Sequence, residues 1–405
     1  MVPEGWRNGT LTHLAETVMG YAFKSTDFVP EGIPLLRMGN LYQNTLDFER
    51  NPACLPLAFK EEFARFLVKP GDLVMSMTGT MGKRDYGFTV QIPDDAPESL
   101  LNQRVMKFIP QKEVSPGFLL NLLRSEIILS RLYSFPGGTK QANLSAKQVH
   151  DLPAPIPPLP EQKKIAKILS TWDKAIAAVE KLIATSQQQK KALMQQLLTG
   201  KKRLPGFDGE WKYKKISQIS NRIQRKTDGD DYPVLTISSL SGFVRQDEKY
   251  SRYMAGKSVE NYILLERGDF AYNKGNSKTY EFGCVFDLAS YDKGLVPHVY
   301  VCFKLNNGLS HRYFKYLFEA DYLKPQLSRL VNTGVRNNGL LNIKPAEFMN
   351  TKVPVPSYEE QEKIADILHA ASVQAQELEA ELEFFAQEKK ALMQQLLTGQ
   401  RRVNA

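Results

Sequence analysis

The strongest constraint on this 405-residue chain is an internal repeat. Residues 190–200 read KKALMQQLLTG, and the same eleven residues recur at 389–399, an offset of 199. At that offset, 20 of the 40 positions from 161 to 200 are identical without a gap. A repeat of this length indicates a duplicated architecture. The chain therefore consists of a variable segment followed by a shared segment, twice over.

The two shared segments are predicted to be long helices that pair along an apolar seam. Pro157, Pro158 and Pro160 end whatever precedes the first helix, and Gly200 and Gly399 close the two helices. Apolar residues recur at alternating spacings of four and three, which is typical of a coiled coil. The predicted seam consists of Ile165, Leu169, Trp172, Ile176, Val179, Ile183, Leu193 and Leu197, and of Ile364, Leu368, Leu378, Leu382, Phe385, Leu392 and Leu396. At nearly 40 residues, each helix would span roughly 55–60 Å.

One lysine interrupts the seam of each helix, at the equivalent positions Lys190 and Lys389. Each lysine can be a simple exception to the apolar pattern. Alternatively, the two lysines fix the register of the pair, which is the best-attested use of a polar residue on a seam.

Charge distinguishes the two helices. Lys and Arg total 53 and Asp and Glu 44, so the net charge is +9 at pH 7. Residues 161–203 contribute +7 (ten cations, three anions), and residues 359–402 contribute −4 (five cations, nine anions). Opposite charge favours pairing of the first helix with the second; the alternative is two unrelated solvated helices. A basic surplus suggests a polyanionic partner, either nucleic acid or an anionic membrane surface.

The two variable segments are predicted to share one mixed fold. Short strands followed by a helix are expected in the same order in both segments. The expected strands are 66–68, 72–77, 87–90 and 104–108 before a helix at 118–133, and 262–265, 268–272, 281–286 and 299–304 before a helix near 312–330. We therefore expect an α+β chain with two similar α/β domains at 1–153 and 204–352 and shared helices at 154–203 and 353–405.

Two loops in each variable domain have the composition of a DNA contact: 76–84 and 136–144 in the first, 273–278 and 332–340 in the second. Glycines let the backbone approach a phosphate, short polar side chains reach base edges, and Lys and Arg neutralise phosphates. Each loop alone could be an ordinary turn, but their recurrence on a basic chain favours DNA. The predicted DNA-binding residues are Arg37, Asn40, Thr78, Thr80, Lys83, Arg84, Arg104, Thr139, Lys140, Gln141, Asn143, Ser238, Ser239, Asn273, Lys274, Asn276, Lys278, Thr333, Arg336, Asn337 and Asn338.

We find no catalytic or metal-binding motif in the sequence. Three scattered cysteines, Cys54, Cys284 and Cys302, give neither a disulfide framework nor a zinc knuckle and fit a reducing cytosol. The glycine spacing at 79–83 is too short for a P-loop. Residues 51–54 (NPAC) lack the second proline and the aromatic residue of an adenine methyltransferase motif. No apolar run of about 18 residues is present, so no membrane span is predicted.

These residues resemble the specificity (S) subunit of type I restriction-modification systems over the whole chain. The matching motifs are PIPPLPEQ at 155–162, IAKIL at 165–169, KALMQQLLTG at 191–200 and their second copies, together with GDLV at 71–74, NQRV at 102–105 and NLS at 143–145. The second domain departs from this pattern, because PHVYV at 297–301 stands where NQRV stands in the first.

The resemblance implies that the variable domains are target recognition domains that each bind half of a split duplex-DNA site through their loops. It also implies an antiparallel coiled coil whose length sets the spacing between the half-sites. Two methyltransferase (M) subunits would supply S-adenosylmethionine and adenine methylation. Restriction (R) subunits would join through them and use ATP and Mg. The S subunit itself would be cytoplasmic, would hold no cofactor and would have no catalytic residues.

Two other classes of function stay open from the sequence. The first is a self-contained enzyme that methylates or cuts the nucleic acid bound by its basic surface, which the missing catalytic motifs disfavour. The second is a coiled-coil assembly protein with no DNA role, which predicts a partner interaction that is insensitive to salt and to added duplex DNA.

Overall fold

The computed structural model describes residues 2–135, 141–249, 256–275, 277–331 and 341–403. The chain divides into two compact units. Unit 1 comprises Met1–Glu180 and Ala380–Ala405, and unit 2 comprises Lys181–Glu379. Each unit therefore combines one variable segment with one end of each long helix. Its mixture of short strands and helices confirms the α+β fold class.

Unit 1 contains two four-stranded sheets and three two-stranded pairs. Leu73–Ser76 and Val105–Pro110 are central in one sheet, and Ile33–Leu36 and Ser99–Leu101 are central in the other. In the part of unit 1 that the structure describes, the strands are Arg7–Thr10, Ala15–Met19, Ile33–Leu36, Leu41–Tyr42, Thr45–Leu46, Cys54–Leu55, Leu67–Val68, Leu73–Ser76, Thr78–Thr80, Thr89–Gln91, Ser99–Leu101, Val105–Pro110, Gln141–Asn143 and Pro153–Ile156. Its short α-helices are Phe59–Glu62, Pro116–Arg124, Glu126–Ser134 and Ala146–His150. The first and last strands pair antiparallel, so they close the unit at the start of the long helix.

Unit 2 has a similar plan. Its four-stranded sheet has Val301–Leu305 and Phe270–Asn273 at the centre. Its first strand, Lys212–Lys215, pairs antiparallel with its last, Lys352–Val355. Among its described residues, the strands are Lys212–Lys215, Ser220–Ile223, Leu235–Ser238, Gly242–Arg245, Ile263–Glu266, Phe270–Asn273, Cys284–Asp287, Lys293–Val296, Val301–Leu305 and Lys352–Val355. Its short α-helices are Ile216–Ile219, Gln246–Lys249, His311–Glu319, Lys324–Leu330 and Pro345–Met349.

The two long helices run from Leu159 to Leu197 and from Tyr358 to Thr398. In the core of unit 1, the early residues Ile165 and Leu169 share a cluster with Leu396, near the end of the second helix. In the core of unit 2, the late residues of the first helix cluster with early residues of the second. This pairing order is the antiparallel order that the family resemblance implied.

All fifteen residues of the predicted seam are buried or half-buried. In unit 1, the Trp172 and Phe385 rings meet edge to face with their centres 5.6 Å apart. The two seam lysines each bind a carboxylate. Lys389 pairs with Asp173 on the opposite long helix, whereas in unit 2 Lys190 pairs with Glu319 of a short helix at 2.6 Å.

A buried cluster of tryptophan, glutamate and arginine ties the ends of unit 1 together. Trp6 Nε1 donates to Glu161 at 2.8 Å, and Arg402 donates two hydrogen bonds to the same carboxylate at 2.8 and 2.9 Å. The Glu161 side chain is only 3% exposed. Burial raises the pKa of Glu161, but the hydrogen bonds from Arg402 and Trp6 outweigh burial, so the pKa lies below its usual value.

Unit 2 repeats this cluster with a second set of residues. Trp211 Nε1 donates to Glu360 at 2.9 Å, and Arg203 donates to it at 2.8 and 2.9 Å. The Arg203 guanidinium also lies 5.4 Å from the centre of the Trp211 ring. The two glutamates, like the two arginines, are 199 residues apart in sequence, so the duplication extends from the helices to a specific buried interaction.

The two helices predicted at 118–133 and 312–330 are each broken in two, so these predictions were wrong in length. In unit 1 the chain is extended at Ser125, whose hydroxyl donates to the Leu122 carbonyl at 2.6 Å. In unit 2 the break contains Asp321, which has a left-handed backbone with φ of 54°. Periodicity did not detect the breaks, because both halves of each helix keep an apolar face toward the core.

Asp321 should destabilise the folded protein at neutral pH. Burial raises its pKa to about 6, while Lys324 lowers it and Glu281 raises it. Since the folded pKa lies above the unfolded value near 3.9, the ionised form is penalised above pH 6, and stability is regained as pH falls through 6. We expect Asp321→Asn to gain about 1 kcal/mol at pH 7.5, after discounting for solvent screening. That gain would appear as a rise of about 2–4 °C in unfolding temperature.

The pH dependence of the stability gain distinguishes an effect of Asp321 ionisation from a stabilisation that does not depend on ionisation. The gain from Asp321→Asn should shrink as the pH is lowered from 7.5 to 5, because the wild-type carboxyl is protonated there. The exposed Asp95 provides the control, and Asp95→Asn should leave the unfolding temperature within a degree or so of wild type. A gain from Asp321→Asn that is the same at both pH values would contradict this account.

Candidate nucleic-acid interface

The two candidate loops of unit 1 lie side by side. Thr78–Thr80 pairs antiparallel with Gln141–Asn143, and the Leu144 N–H donates to the Met77 carbonyl at 2.9 Å. Thr80, Gln141 and Asn143 are exposed. Residues far apart in sequence are therefore joined at one place, as a composite recognition surface requires.

Two residues predicted to contact DNA are buried instead. Thr78 is 6% exposed, and its hydroxyl donates to the Asn143 side chain at 3.0 Å. Asn40 is 2% exposed, and its amide donates to the Asp47 and Arg50 carbonyls at 2.9 Å. Because both polar groups bond within the protein, we reassign Thr78 and Asn40 to positioning the neighbouring backbone.

Lys83 and Arg84 follow the first loop strand and differ in their surroundings. Lys83 is exposed, and its N–H closes a turn on the Thr80 carbonyl at 3.0 Å. Arg84 pairs with Glu126 at 2.9 Å, and its guanidinium lies 5.0 Å from the centre of the Tyr133 ring. A phosphate would have to displace Glu126 to bind Arg84. The exposed Lys83 side chain could bind a phosphate without displacing a carboxylate.

A second polar surface of unit 1 is a cavity of about 470 Å³. It is lined by Arg37 and Arg104, both predicted from the sequence, together with Arg50 and the amides of Asn51 and Asn102. We call it the arginine cavity. Sequence reasoning missed Arg50, because an arginine in a polar turn has no spacing that distinguishes it from a solvated one.

In unit 2, the residue that follows the second candidate loop contacts the first loop. Asn273 ends a strand of the four-stranded sheet, and the Leu341 N–H donates to the Lys274 carbonyl at 3.1 Å. This contact corresponds to the one that joins the loops of unit 1. Lys278 is exposed nearby in sequence. The same backbone contact therefore recurs beside the first candidate loop of both units, with different side chains around it.

The remaining predicted residues divide into two groups. Ser238 and Ser239 lie at the turn between two paired strands and are half-buried. Seven predicted residues fall outside the described part of the chain, and their role stays a prediction: Thr139, Lys140, Asn276, Thr333, Arg336, Asn337 and Asn338.

Two other features are absent from the described ranges. Within them, no group of three or more His, Cys, Asp or Glu side chains could hold a metal ion. No helix among the same residues combines the length and the hydropathy needed to cross a membrane.

Comparison with known proteins gives one consistent family. The family model described as "Type I restriction modification DNA specificity domain" matches residues 3–185 and 209–383, so it matches the chain twice. The putative type I restriction enzyme MjaX specificity subunit of Methanocaldococcus jannaschii is 24% identical over 438 aligned positions, which cover 99% of this chain and 95% of that protein.

Two more relatives extend the comparison. The type I restriction enzyme EcoKI specificity subunit of Escherichia coli K12 is 22% identical over 391 positions, which cover 90% of this chain and 81% of that protein. The crystal structure of the S subunit from M. genitalium aligns with a TM-score of 0.56 and 14% identity, covering 98% of this chain and 96% of that one. At this identity the structural match establishes a shared fold.

Proposed function

Because the chain belongs to the family of type I restriction-modification DNA specificity subunits, we propose that its two units bind the two halves of one split DNA site. In this role the chain is a DNA-binding subunit without catalysis of its own. Two methyltransferase subunits bind to it and supply S-adenosylmethionine, and restriction subunits join through them and use ATP and Mg.

One observation carries this proposal. In both units the same backbone contact joins the first candidate loop to the end of the second loop or to the residue after it, from Leu144 to Met77 and from Leu341 to Lys274. At equivalent positions around it the side chains differ: Met77 and Thr80 of unit 1 correspond to Lys274 and Ser277 of unit 2. A shared frame with different hydrogen-bonding groups supports recognition of two different base sequences.

Duplication also supports the proposed stoichiometry. Each unit contains one end of each long helix and one tryptophan–glutamate–arginine cluster. Two similar units offer two similar surfaces, so one chain would bind two copies of the same methyltransferase subunit.

The proposal is tested by mapping methylated adenines. Expressed with its methyltransferase partner in a host without other adenine methylation, the chain should direct methylation to a motif with two defined halves and undefined bases between them. The partner alone, and this chain alone, should give none. A single uninterrupted motif would contradict two-unit recognition, and methylation by the chain alone would make it an enzyme.

A binding measurement discriminates against an assembly protein without a DNA role. The purified complex should bind duplex DNA, and its affinity should fall steeply between 50 and 200 mM salt, because phosphate contacts release counterions. An assembly protein would instead hold its partner with no competition from duplex DNA and little dependence on salt.

A further inference from the structure

The arginine cavity of unit 1 combines a concave shape with uncompensated positive charge. The residues that line it include Arg37, Arg50 and Arg104 together with Asn51 and Asn102, and no Asp or Glu lines it. Three like charges around one cavity repel each other unless an anion lies between them. We propose that this cavity binds a phosphate of the DNA backbone, an inference that rests on the DNA-binding function proposed above.

Two of the three arginines are already held in place. Arg37 donates to the Asn51 carbonyl, and its guanidinium lies 6.0 Å from the centre of the Phe28 ring. The Arg50 guanidinium lies 4.1 Å from the centre of the Tyr42 ring. Side chains that are fixed before binding lose less conformational entropy on meeting a ligand, and a planar guanidinium donates to two phosphate oxygens at once.

Arg104 has a backbone conformation that an arginine rarely adopts. Its φ is 72°, and its carbonyl accepts from the Met77 N–H at 2.8 Å, which anchors it beside the first candidate loop. Glycine adopts this conformation without a steric penalty. An arginine kept in a strained position beside two other arginines is best explained by what its side chain binds.

Two of the three arginines have uncharged counterparts in unit 2. Phe108 pairs with Leu73, and Phe303 pairs with Phe270, so counting back four residues from each phenylalanine places Val299 where Arg104 lies. Val299 packs against an apolar cluster of unit 2.

Arg37 is likewise replaced by a neutral residue in unit 2. Its counterpart, 199 residues on, is Thr236, which is 5% exposed. The Thr236 hydroxyl lies 3.1 Å from the Tyr300 hydroxyl, within hydrogen-bonding distance. An internal hydrogen bond therefore occupies this place in unit 2, so unit 2 does not repeat the cluster of three arginines at these positions.

Three variants test the site in the complete complex with the methyltransferase subunits. Arg104→Gly removes the guanidinium and relieves the backbone strain, so it should fold at least as well as wild type. Arg50→Gln removes a second charge. Arg65→Gln is the matched control, because Arg65 is an exposed arginine of the same unit that does not line the cavity. Each complex is titrated with a duplex that contains the recognised motif, identified by mapping methylated adenines, and with an equally long duplex that lacks this motif.

We expect Arg104→Gly and Arg50→Gln each to weaken binding about tenfold on both duplexes, and to reduce the slope of log affinity against log salt by about 1. Arg104→Gly should also keep or raise the unfolding temperature, which a purely structural arginine would not do. Loss confined to one base pair with an unchanged salt slope would make Arg104 a base-contacting residue and overturn the proposal.

The other results are also decisive. Unchanged binding in both cavity variants, or an equal loss in Arg65→Gln, would overturn the phosphate site while leaving DNA binding intact. If the wild-type complex itself failed to bind either duplex, the proposed function would fail instead.

Discussion

Exchanging residues 212–355 for the corresponding segment of another specificity subunit should change one half of the methylated motif and leave the other half as it was. The physical reason is that base contacts are local to the unit that makes them. Each mismatched base pair costs about 1–3 kcal/mol, so a new half-site should lower methylation of the old motif roughly hundredfold or more. Mapping methylated adenines before and after the exchange measures both halves at once.

The structure fixes where this exchange should be cut. Lys212–Lys215 pairs with Lys352–Val355, so both strands must come from the same donor. Arg203, Trp211 and Glu360 form one buried cluster, so all three stay with the recipient. Cuts at 212 and 355 satisfy both conditions. Cuts at the predicted boundaries of 204 and 352 would take most of the second strand from the recipient and the first from the donor. They would also replace Trp211 by a donor residue while Arg203 and Glu360 stayed with the recipient.

The reciprocal exchange is the matched control. Residues 7–156 are bounded by the equivalent strand pair, Arg7–Thr10 with Pro153–Ile156. Exchanging them should change the other half of the motif. If either exchange altered both halves, base recognition would not be divided between the two units.

Features that depend on local sequence patterns could be predicted, whereas features that depend on long-range contacts were missed. The seam could be predicted because the spacing of apolar residues in a coiled coil repeats over consecutive helical turns. Residues of the predicted seam such as Leu169 and Leu396 are buried. Arg402 was missed, because it lies 241 residues from its partner Glu161. A signal did exist: the repeat continues past its glycines to Arg203 and Arg402, at the same offset of 199.

The candidate interface was predicted less completely than the fold. Composition located the loops, and the structure brings the loops of each unit together. Composition could not separate buried polar residues from accessible ones, as Asn40 and Thr78 demonstrate. It also could not detect Arg50, because convergence of three arginines on one cavity depends on how separate turns pack.

Replacing Arg402 by methionine should cost about 2–3 kcal/mol of stability in unit 1. The change leaves Glu161 buried at 3% exposure without its charged partner, and such a loss costs about 3–5 kcal/mol for a fully buried pair. The expected value is lower because the Arg402 side chain is 42% exposed. Arg401→Met is the matched control, because Arg401 is its exposed neighbour.

The cost should depend on pH in a defined direction. In the wild type, the lowered pKa of Glu161 means that its stabilising contribution is present above the unfolded pKa of about 4.3 and is lost as pH falls. Without Arg402, the hydrogen bond from Trp6 remains, but the charged partner that offset burial is gone, so the pKa of Glu161 should rise and protonation should relieve the variant at mildly acidic pH. The difference in unfolding temperature between wild type and Arg402→Met should therefore be largest near pH 7.5 and should shrink toward pH 5.

Unit 2 provides an internal replicate of this experiment. Arg203→Met should destabilise unit 2 as Arg402→Met destabilises unit 1, because Arg203 makes the same two hydrogen bonds to a carboxylate that is 2% exposed. Hydrogen exchange of the backbone around Trp6 and Trp211 would localise each loss to its own unit. Equal effects of Arg401→Met and Arg402→Met would mean that general charge, rather than the buried cluster, holds the ends of unit 1 together.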